Sequence, residues 1–341
     1  MGCYCTGVGI VLDKALDFSE YKELLSRCDN TESTLFNKYL SDHKFKKNIN
    51  HAFLEAISDA GLCLKELKNN ERIGLVIGSS LGFIDQSKDE PKRIMDFSWL
   101  IRKYRFKGSV YIISNTCTSS LNAITTAINM LNADKLDICI VGGVDVAGDF
   151  INYGFQSLNL LNKNNEIHLF NENDTGTFLT NASCFLVLNK YRKSRFYTEV
   201  LAGAIKNEAF DLTRIENKGQ SLYKAVYDCL KKANITINQI DILMTCANGI
   251  KKMDSQQNSF FQQYFPKEFC TISTVKNLIG HTLGASTILD IISIIAFIHN
   301  GKIQTIKGEW INRNVKYVLI LSIGFAGVNG TILLRFHDKS L

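Results

Sequence analysis

Along residues 52–78, "AFLEAISDAGLCLKELKNNERIGLVIG", apolar positions recur at helical spacing, a short polar link follows, and a β-branched run ends on glycine. Residues 225–249, "AVYDCLKKANITINQIDILMTCANG", repeat that order. Pairing Ala60 with Ala233 gives an offset of 173, and pairing Gly78 with Gly249 gives 171. Two positions at nearly one offset point to a duplicated unit. The match continues downstream: "VYIISNTCTSSLNAITTAINML" (110–131) predicts strand, small-residue loop and apolar helix, and "CTISTVKNLIGHTLGASTILDIISII" (270–295) repeats the plan. Then "LDICIVGGVD" (136–145) and "VKYVLILSIGFAGVNG" (315–330) predict strands running into Gly-rich turns. Each half closes on one more strand, "ASCFLVLNK" (182–190) and "GTILLRF" (330–336). Apolar strands alternating with helices imply sheets covered on both faces, hence a layered α/β protein of two pseudo-symmetric halves, 1–190 and 191–341. Loops at corresponding strand ends should then meet at one site.

Composition narrows the class. With 341 residues, 45% hydrophobic and 21% charged, the chain can bury one large core or two packed domains, which excludes disordered and fibrous classes. The net charge of +6 is spread in short Lys/Arg groups between acidic residues, so a solvated surface is favoured over nucleic-acid binding, although a basic face suits an acidic partner. Ten cysteines at irregular spacing, several inside apolar runs, fit reduced, buried thiols in a cytosolic protein. Cys3 and Cys5 lack a matching second pair and do not make a zinc site. The start, "MGCYCTGVGIVLDKAL", predicts a first strand rather than a signal peptide, and its Gly2 and Thr6 meet a short myristoylation pattern that chance often satisfies. The most apolar run, "ILDIISIIAFIHN" (288–300), contains Asp290 and is too short to span a membrane, so it predicts a buried helix.

The candidate chemistry starts at Cys117. It follows a strand and precedes a helix whose Leu121, Ile124, Ile128 and Leu131 form one face, so the helix dipole is expected to lower its thiol pKa. Thr116, Thr118, Ser119 and Ser120 leave room for a substrate. Taken alone, the residue is as readily a packed core cysteine. In "KNLIGH", Lys276 stands five residues before His281, ahead of a strongly apolar helix, and Gly280 and Gly284 allow close approach. An imidazole beside a cysteine can take its proton or donate to a carbonyl oxygen; the plainer alternatives are a helix-cap histidine and a surface lysine.

Taken together, "NTCTSSLNAI", "VGGVD", "TVKNLIGHTLGAS" followed by Asp290, and "LSIGFAGVNG" resemble the β-ketoacyl-acyl carrier protein synthases of the thiolase superfamily over almost the whole chain. That resemblance implies a five-layer αβαβα fold and a cysteine acylated from an acyl carrier protein or coenzyme A thioester, with no metal or organic cofactor. Cys117 matches the nucleophile, His281 the histidine of the second GH motif, Lys276 the lysine before it, and Phe325 the gating phenylalanine. The resemblance makes the amides of Cys117 and Phe325 the oxyanion hole and Asp290 a structural partner behind the site. It also implies a dimer, either of two copies or with a paralogous ketosynthase.

One motif departs. The family's other histidine opens an HGTGT motif eight residues before an aspartate, and here the matching stretch, "CANGIKKMD" (246–254), begins with Cys246. A thiol is a weak donor, and losing one such donor typically costs about 3 kcal/mol in the transition state. Asn248 either supplies the second donor, as in the chalcone-synthase and chain-initiating branches of the superfamily, or only shapes the turn before Gly249. The family's GEGAG loop corresponds to "TNASC" (180–184), and the chain is shorter than typical members. Two expectations follow: an acyl-transferring enzyme of fatty-acid or polyketide synthesis with altered decarboxylation, or a non-catalytic partner resembling a chain-length factor. A degradative thiolase needs a second cysteine near the last Gly-rich loop, and "GFAGVNG" has none.

Overall fold

The computed structural model describes residues 2–12, 17–27, 42–85, 92–94, 96–164, 166–171, 176–209, 219–265 and 270–337. In chain order the first part holds β1 (Cys3–Leu12), α1 (Phe18–Arg27), α2 (Asp42–Asp59), α3 (Leu64–Asn69) and β2 (Ile73–Gly78). A small hairpin, β3 (Phe83–Asp85) and β4 (Lys92–Ile94), leads to α4 (Ser98–Tyr104), β5 (Val110–Ile113), α5 (Ser119–Asn132), β6 (Ile138–Asp145), α6 (Asp149–Ser157) and β7 (Ala182–Asn189). The second part holds β8 (Thr198–Asn207), α7 (Gln220–Ala233), β9 (Ile242–Met244), α8 (Lys251–Tyr264), β10 (Thr271–Ser273), α9 (Lys276–Ile279) and α10 (Ser286–His299). It ends with the short pair β11 (Ile303–Gln304) and β12 (Trp310–Ile311), then β13 (Tyr317–Gly324) and β14 (Val328–Arg335).

Among the described residues the long ladder runs β10-β9-β13-β14-β8-β1-β7-β6-β2-β5. Read outward from its middle, β1-β7-β6-β2-β5 has the same order as β8-β14-β13-β9-β10, the arrangement of two pseudo-symmetric halves. In each half the strand next to the middle and its neighbour are antiparallel, while the outer pairs run parallel. Only three residue pairs, Cys3 with Val200, Tyr4 with Glu199 and Cys5 with Thr198, join the halves through the ladder. Beyond Cys5, β1 leaves β8, and the amides of Val8 and Ile10 donate instead to the carboxylates of Asp59 and Glu55 on α2, at 2.9 and 2.8 Å. Helix side chains thus cover a sheet edge that would otherwise hold unpaired buried donors.

Side-chain alternation along the strands builds the layers. In β2, Ile73, Leu75 and Ile77 pack under Ile49, Phe53 and Ile57 of α2, whereas Val76 faces the middle. In β13, Leu319 and Leu321 pack under Leu222 and Val226 of α7 and Phe260 of α8, whereas Val318 and Ile320 face the middle. The middle is filled by Leu121, Ile124, Ile128 and Leu131 of α5 and by Ile288, Ile292 and Ile295 of α10. The result is helix, sheet, helix pair, sheet, helix: the five-layer arrangement expected from the sequence. The apolar run 288–300 is a helix buried between two sheets, and among the described residues no helix is long and apolar enough to cross a membrane.

Two details depart from the sequence reading. Both polar links hold a short helical turn, α3 in one half and a 3-10 turn at Ile237–Gln239 in the other. The nine described cysteines are free thiols, yet Cys63 is exposed rather than buried; Cys28 lies outside the described residues. Gly2 sits against the carbonyl of Val200 where β1 enters the ladder, and Cys3 and Cys5 are fully buried there.

Candidate active site

The duplication places two corresponding helix starts back to back: α5, preceded by Cys117, and α10, preceded by His281. At the first, β5 ends and the chain turns through Thr116, held at φ +49°, before α5 begins. The small hydroxyl residues expected to leave room for a substrate are instead spent on the turn. Ser119 Oγ accepts from the amide of Asn115 at 2.9 Å and donates to the carbonyl of Thr116, Thr118 Oγ1 donates to the carbonyl of Asn115, and Ser120 Oγ accepts from the amide of Thr287 across the halves. At the second start, α9 ends on Gly280 at φ +94°, where a Cβ would meet the Phe178 ring at 2.4 Å, so only glycine fits. His281 then exchanges backbone hydrogen bonds with the segment 178–180, at 2.9 and 3.1 Å. The same segment's Gly176 donates to the carbonyl of Gly249 at 2.8 Å, so one strap carries both loops of the second half.

The loops meet on a contact of 3.2 Å between Cys117 Sγ and His281 Nε2. The other ring nitrogen, Nδ1, lies 3.3 Å from Ser286 Oγ. A thiol donating to Nε2 requires the Nδ1–H tautomer, which Ser286 receives. Lys276 is 3% exposed and pairs with the equally buried Asp290, Nζ to Oδ2 at 3.3 Å, which overturns the surface-lysine alternative. All seven residues singled out from the sequence line one cavity: Cys117, Cys246, Asn248, Lys276, His281, Asp290 and Phe325. The Phe325 ring packs against Phe155 of α6 with centroids 5.9 Å apart.

Electrostatics here follow from burial. Cys117 is half-buried in the cavity wall, and withdrawal from bulk water pushes its thiol up to about 12; Asp145 adds to the rise and Lys276 opposes it. This corrects the expected lowering by the helix dipole: desolvation outweighs it. Burial, followed by the charge of Lys276, takes His281 down to about 3. The resting pair is therefore a neutral thiol and a neutral imidazole. Asp290 is pushed up by burial and held back by Lys276.

The stretch with the missing histidine is ordered by Asp254, which is 1% exposed and accepts from the amides of Asn248, Gly249 and Phe170 at 3.0, 3.1 and 3.0 Å. Cys246 Sγ lies 3.2 Å from Gln257 Oε1, which also accepts from Thr245 Oγ1. Its only hydrogen is thus turned away from the cavity. Asn248 Oδ1 accepts from the amide of Ile250 at 3.3 Å, the turn-forming role, while the side chain also lines the cavity. Among the described residues no cluster of His, Cys, Asp or Glu is arranged to hold a metal ion.

Two family models match, β-ketoacyl synthase N-terminal domain over residues 45–194 and β-ketoacyl synthase C-terminal domain over 197–307. The chain belongs to the β-ketoacyl synthase family. Among curated relatives of this synthase-family chain, 3-oxoacyl-[acyl-carrier-protein] synthase 2 of Coxiella burnetii is 24% identical, with 82% of this chain and 79% of the relative covered. The ketoacyl synthase alpha subunit of the tetracenomycin polyketide synthase of Streptomyces glaucescens is also 24% identical, over 73% of this chain and 67% of that one. Two solved structures share the fold at 99% coverage of both chains. One is a type II polyketide acyl-carrier protein in complex with its ketosynthase (TM-score 0.86, 18% identity), and the other the ishigamide ketosynthase/chain length factor (0.84, 17%).

Several residues around the cavity went unassigned in the sequence. Asp145, in the quoted "VGGVD", is a buried carboxylate that accepts from Ser79 Oγ, the amides of Ser80 and Leu81, Ser80 Oγ and the amide of Gly284. A Cβ on Gly284 would sit 2.5 Å from that carboxylate, so glycine is what lets the His281 loop reach it. Ser286 and Gln257 stand only five and eleven residues from His281 and Cys246 but were not among the residues singled out, and Phe155 acts through Phe325, distant in sequence.

The low pKa of His281 has a consequence for acid stability. The unfolded imidazole takes a proton at its ordinary value near 6.5 while the folded one resists to about 3, so stability falls as pH drops through that window. Urea unfolding at pH 7 and pH 5 should show a loss of about 2 kcal/mol from this group alone. His281→Asn should be flatter by that amount; parallel curves for the two proteins would contradict the assignment.

Proposed function

We propose that the protein is a ketosynthase-like acyltransferase in which Cys117 takes an acyl group from an acyl carrier protein, or coenzyme A, thioester and passes it on in carbon–carbon condensation of fatty-acid or polyketide type. The observation that carries this reading is the 3.2 Å contact between Cys117 Sγ and His281 Nε2 inside a cavity formed by both halves. Nucleophile and base are within reach, and Ser286 orients the base. As Sγ attacks the thioester carbonyl, its proton passes to Nε2; the carbonyl–sulfur bond to the carrier breaks, and the proton leaves on the carrier thiol. The wide gap between the two pKa values keeps the proton on sulfur until the new bond forms. The amides of Cys117 and Phe325 hold the oxyanion, and the Lys276–Asp290 pair supplies a fixed buried charge behind His281.

In the second step the imidazole, its proton moved from Nδ1 to Nε2 once Cys117 is acylated, and the Asn248 amide donate to the carbonyl of a carrier-bound malonyl group as its carboxylate leaves as carbon dioxide; the enolate carbon attacks the acyl carbonyl, the bond to Sγ breaks, and Cys117 leaves as a thiolate that takes a proton from water. Asn248 can do both jobs weighed for it, since its oxygen holds the turn and its side chain also lines the cavity. Cys246 donates to Gln257 and contributes little, so decarboxylation is slower than with two imidazoles. No metal or organic cofactor enters this scheme; the acyl group arrives on the carrier's phosphopantetheine arm. We place the protein in the cytoplasm, where its free thiols stay reduced. It has no nucleic-acid partner and works as a dimer, with itself or with a paralogous ketosynthase, through the terminal strand β5, where Tyr111 and Ile112 are 48% and 40% exposed. The two halves, 1–190 and 191–341, act as one unit.

The departure at Cys246 favours a second reading, a non-catalytic partner of a complete ketosynthase. Intact-protein mass separates them: a panel of acyl-carrier-protein thioesters should give an adduct that disappears in Cys117→Ala, and no adduct from any donor moves the assignment to the partner. With an adduct in hand, Asn248→Ala should slow carbon dioxide release from malonyl thioester by about ten- to a thousandfold; an unchanged rate leaves Asn248 as a turn residue only. Sedimentation at micromolar concentration should show a dimer, and a monomer without added partner would contradict self-pairing.

A further inference from the structure

One imidazole has two jobs in this cavity. Toward Cys117, Nε2 must accept a proton; toward a malonyl carbonyl it must donate one. A site with two imidazoles could divide the work, but the second place holds Cys246, whose hydrogen goes to Gln257. What stands at the other ring nitrogen therefore matters, because it decides which tautomer the ring can adopt. A carbonyl at Nδ1 would hold the proton there, and a backbone amide would exclude it. Nδ1 instead meets the hydroxyl of Ser286 at 3.3 Å, a group that both donates and accepts. The backbone amides around it are committed elsewhere: Gly284 to Asp145, Ala285 to the carbonyl of Thr282, Ser286 to the carbonyl of Leu283 and Thr287 to Ser120. Behind Ser286 stands a second hydroxyl, Thr282 Oγ1, 3.3 Å away. His281, Ser286 and Thr282 are all buried, so bulk water does not readily replace the bonds they make with one another.

We propose that Ser286, with Thr282 behind it, is a positioning residue that serves His281 in both tautomers, so that one imidazole accepts a proton at Nε2 during acylation and donates one there during decarboxylation. The inference rests on the acyl-enzyme reading above. In the resting site Nδ1–H donates to Ser286 Oγ, whose own hydrogen goes to Thr282 Oγ1, and Nε2 is left to accept from Cys117. Once acylated, Cys117 has no hydrogen to give. The pair of hydroxyls then turns over: Thr282 donates to Ser286, Ser286 donates to Nδ1, and the proton stands on Nε2, facing the malonyl carbonyl. Ser286 also lines the cavity, which gives the proton a closed route: Oγ takes the Nδ1 proton and releases its own to a water molecule, and that water returns one to Nε2. The exchange creates no net charge, which suits a ring whose protonated form burial disfavours.

The test uses the whole chain, labelled with nitrogen-15 at histidine, with the His281 signals identified by their loss in His281→Asn. Imidazole nitrogen NMR should place the proton on Nδ1 in the free protein and on Nε2 after acetylation of Cys117 by acetyl-N-acetylcysteamine, the adduct being checked by mass. A ring that only needs to be held in place would keep its proton on Nδ1 in both states, and that result overturns the inference while leaving the acyl-enzyme reading standing. In rates, Ser286→Ala should lower kcat for carbon dioxide release from malonyl thioester at least about tenfold with KM unchanged, the pattern of an interaction made in the transition state. Ser286→Thr, which returns the hydroxyl, should recover most of that loss. An unchanged kcat in Ser286→Ala, with circular dichroism matching the wild type, also overturns the inference. Absence of any acetyl adduct at Cys117 overturns both.

Discussion

The buried carboxylate of Asp145 fixes how the two halves meet. It ends β6 in the first half, collects the hydroxyls and amides of Ser79, Ser80 and Leu81, and reaches across to the amide of Gly284, 2.6 Å away in the His281 loop. A carboxylate taken out of water is tolerated only when its oxygens are satisfied, and here the donors come from both halves. Each would cost about 1–3 kcal/mol if stranded, so the loop carrying His281 is held against the loop carrying Cys117 by more than apolar packing. The ladder itself contributes only three residue pairs to that junction. The Cys117–His281 contact is a product of this clamp.

The same burial that makes the clamp sets the charge state of the site. Cys117 is pushed up, His281 is pushed down, and the charged groups nearby are Asp145 and Lys276 with its partner Asp290. A site of this kind stores no thiolate. It offers a thiol and an imidazole in contact, in low dielectric, to a carbonyl that develops negative charge only as the bond forms, and preorganised donors act most strongly under those conditions. In the opposite wall, Cys246 gives its hydrogen to Gln257 and Asn248 gives its oxygen to the turn, so catalysis of any second step falls on His281 and one amide group.

Much of this was legible in the sequence because the chain states its plan twice. The strand and helix patterns at 52–78 and 225–249 became β2 and β9 with their covering helices, and the run 288–300 became the central helix α10. Periodicity carries such information because each of these elements buries a face. Seven of the residues lining the cavity were legible through the resemblance of four motifs to the β-ketoacyl synthases. The protonation state was not: the helix start before Leu121 suggested a lowered thiol pKa, and only the three-dimensional enclosure of Cys117 shows desolvation winning. Nor were the roles of Asp145 and Phe155, each of which depends on a partner brought close by the pseudo-two-fold arrangement; α6 in particular buries Ile151 and Phe155 while leaving Phe150 and Tyr153 exposed, which blurs its pattern.

The claim that burial at the junction of the halves keeps thiol and imidazole neutral is open to one direct measurement, the rate of Cys117 alkylation by iodoacetamide against pH, followed by peptide mass. With the thiol held near 12, the rate should keep climbing through pH 9 without levelling. A rate that levels off by about pH 7 would show a resting thiolate–imidazolium pair and contradict the account.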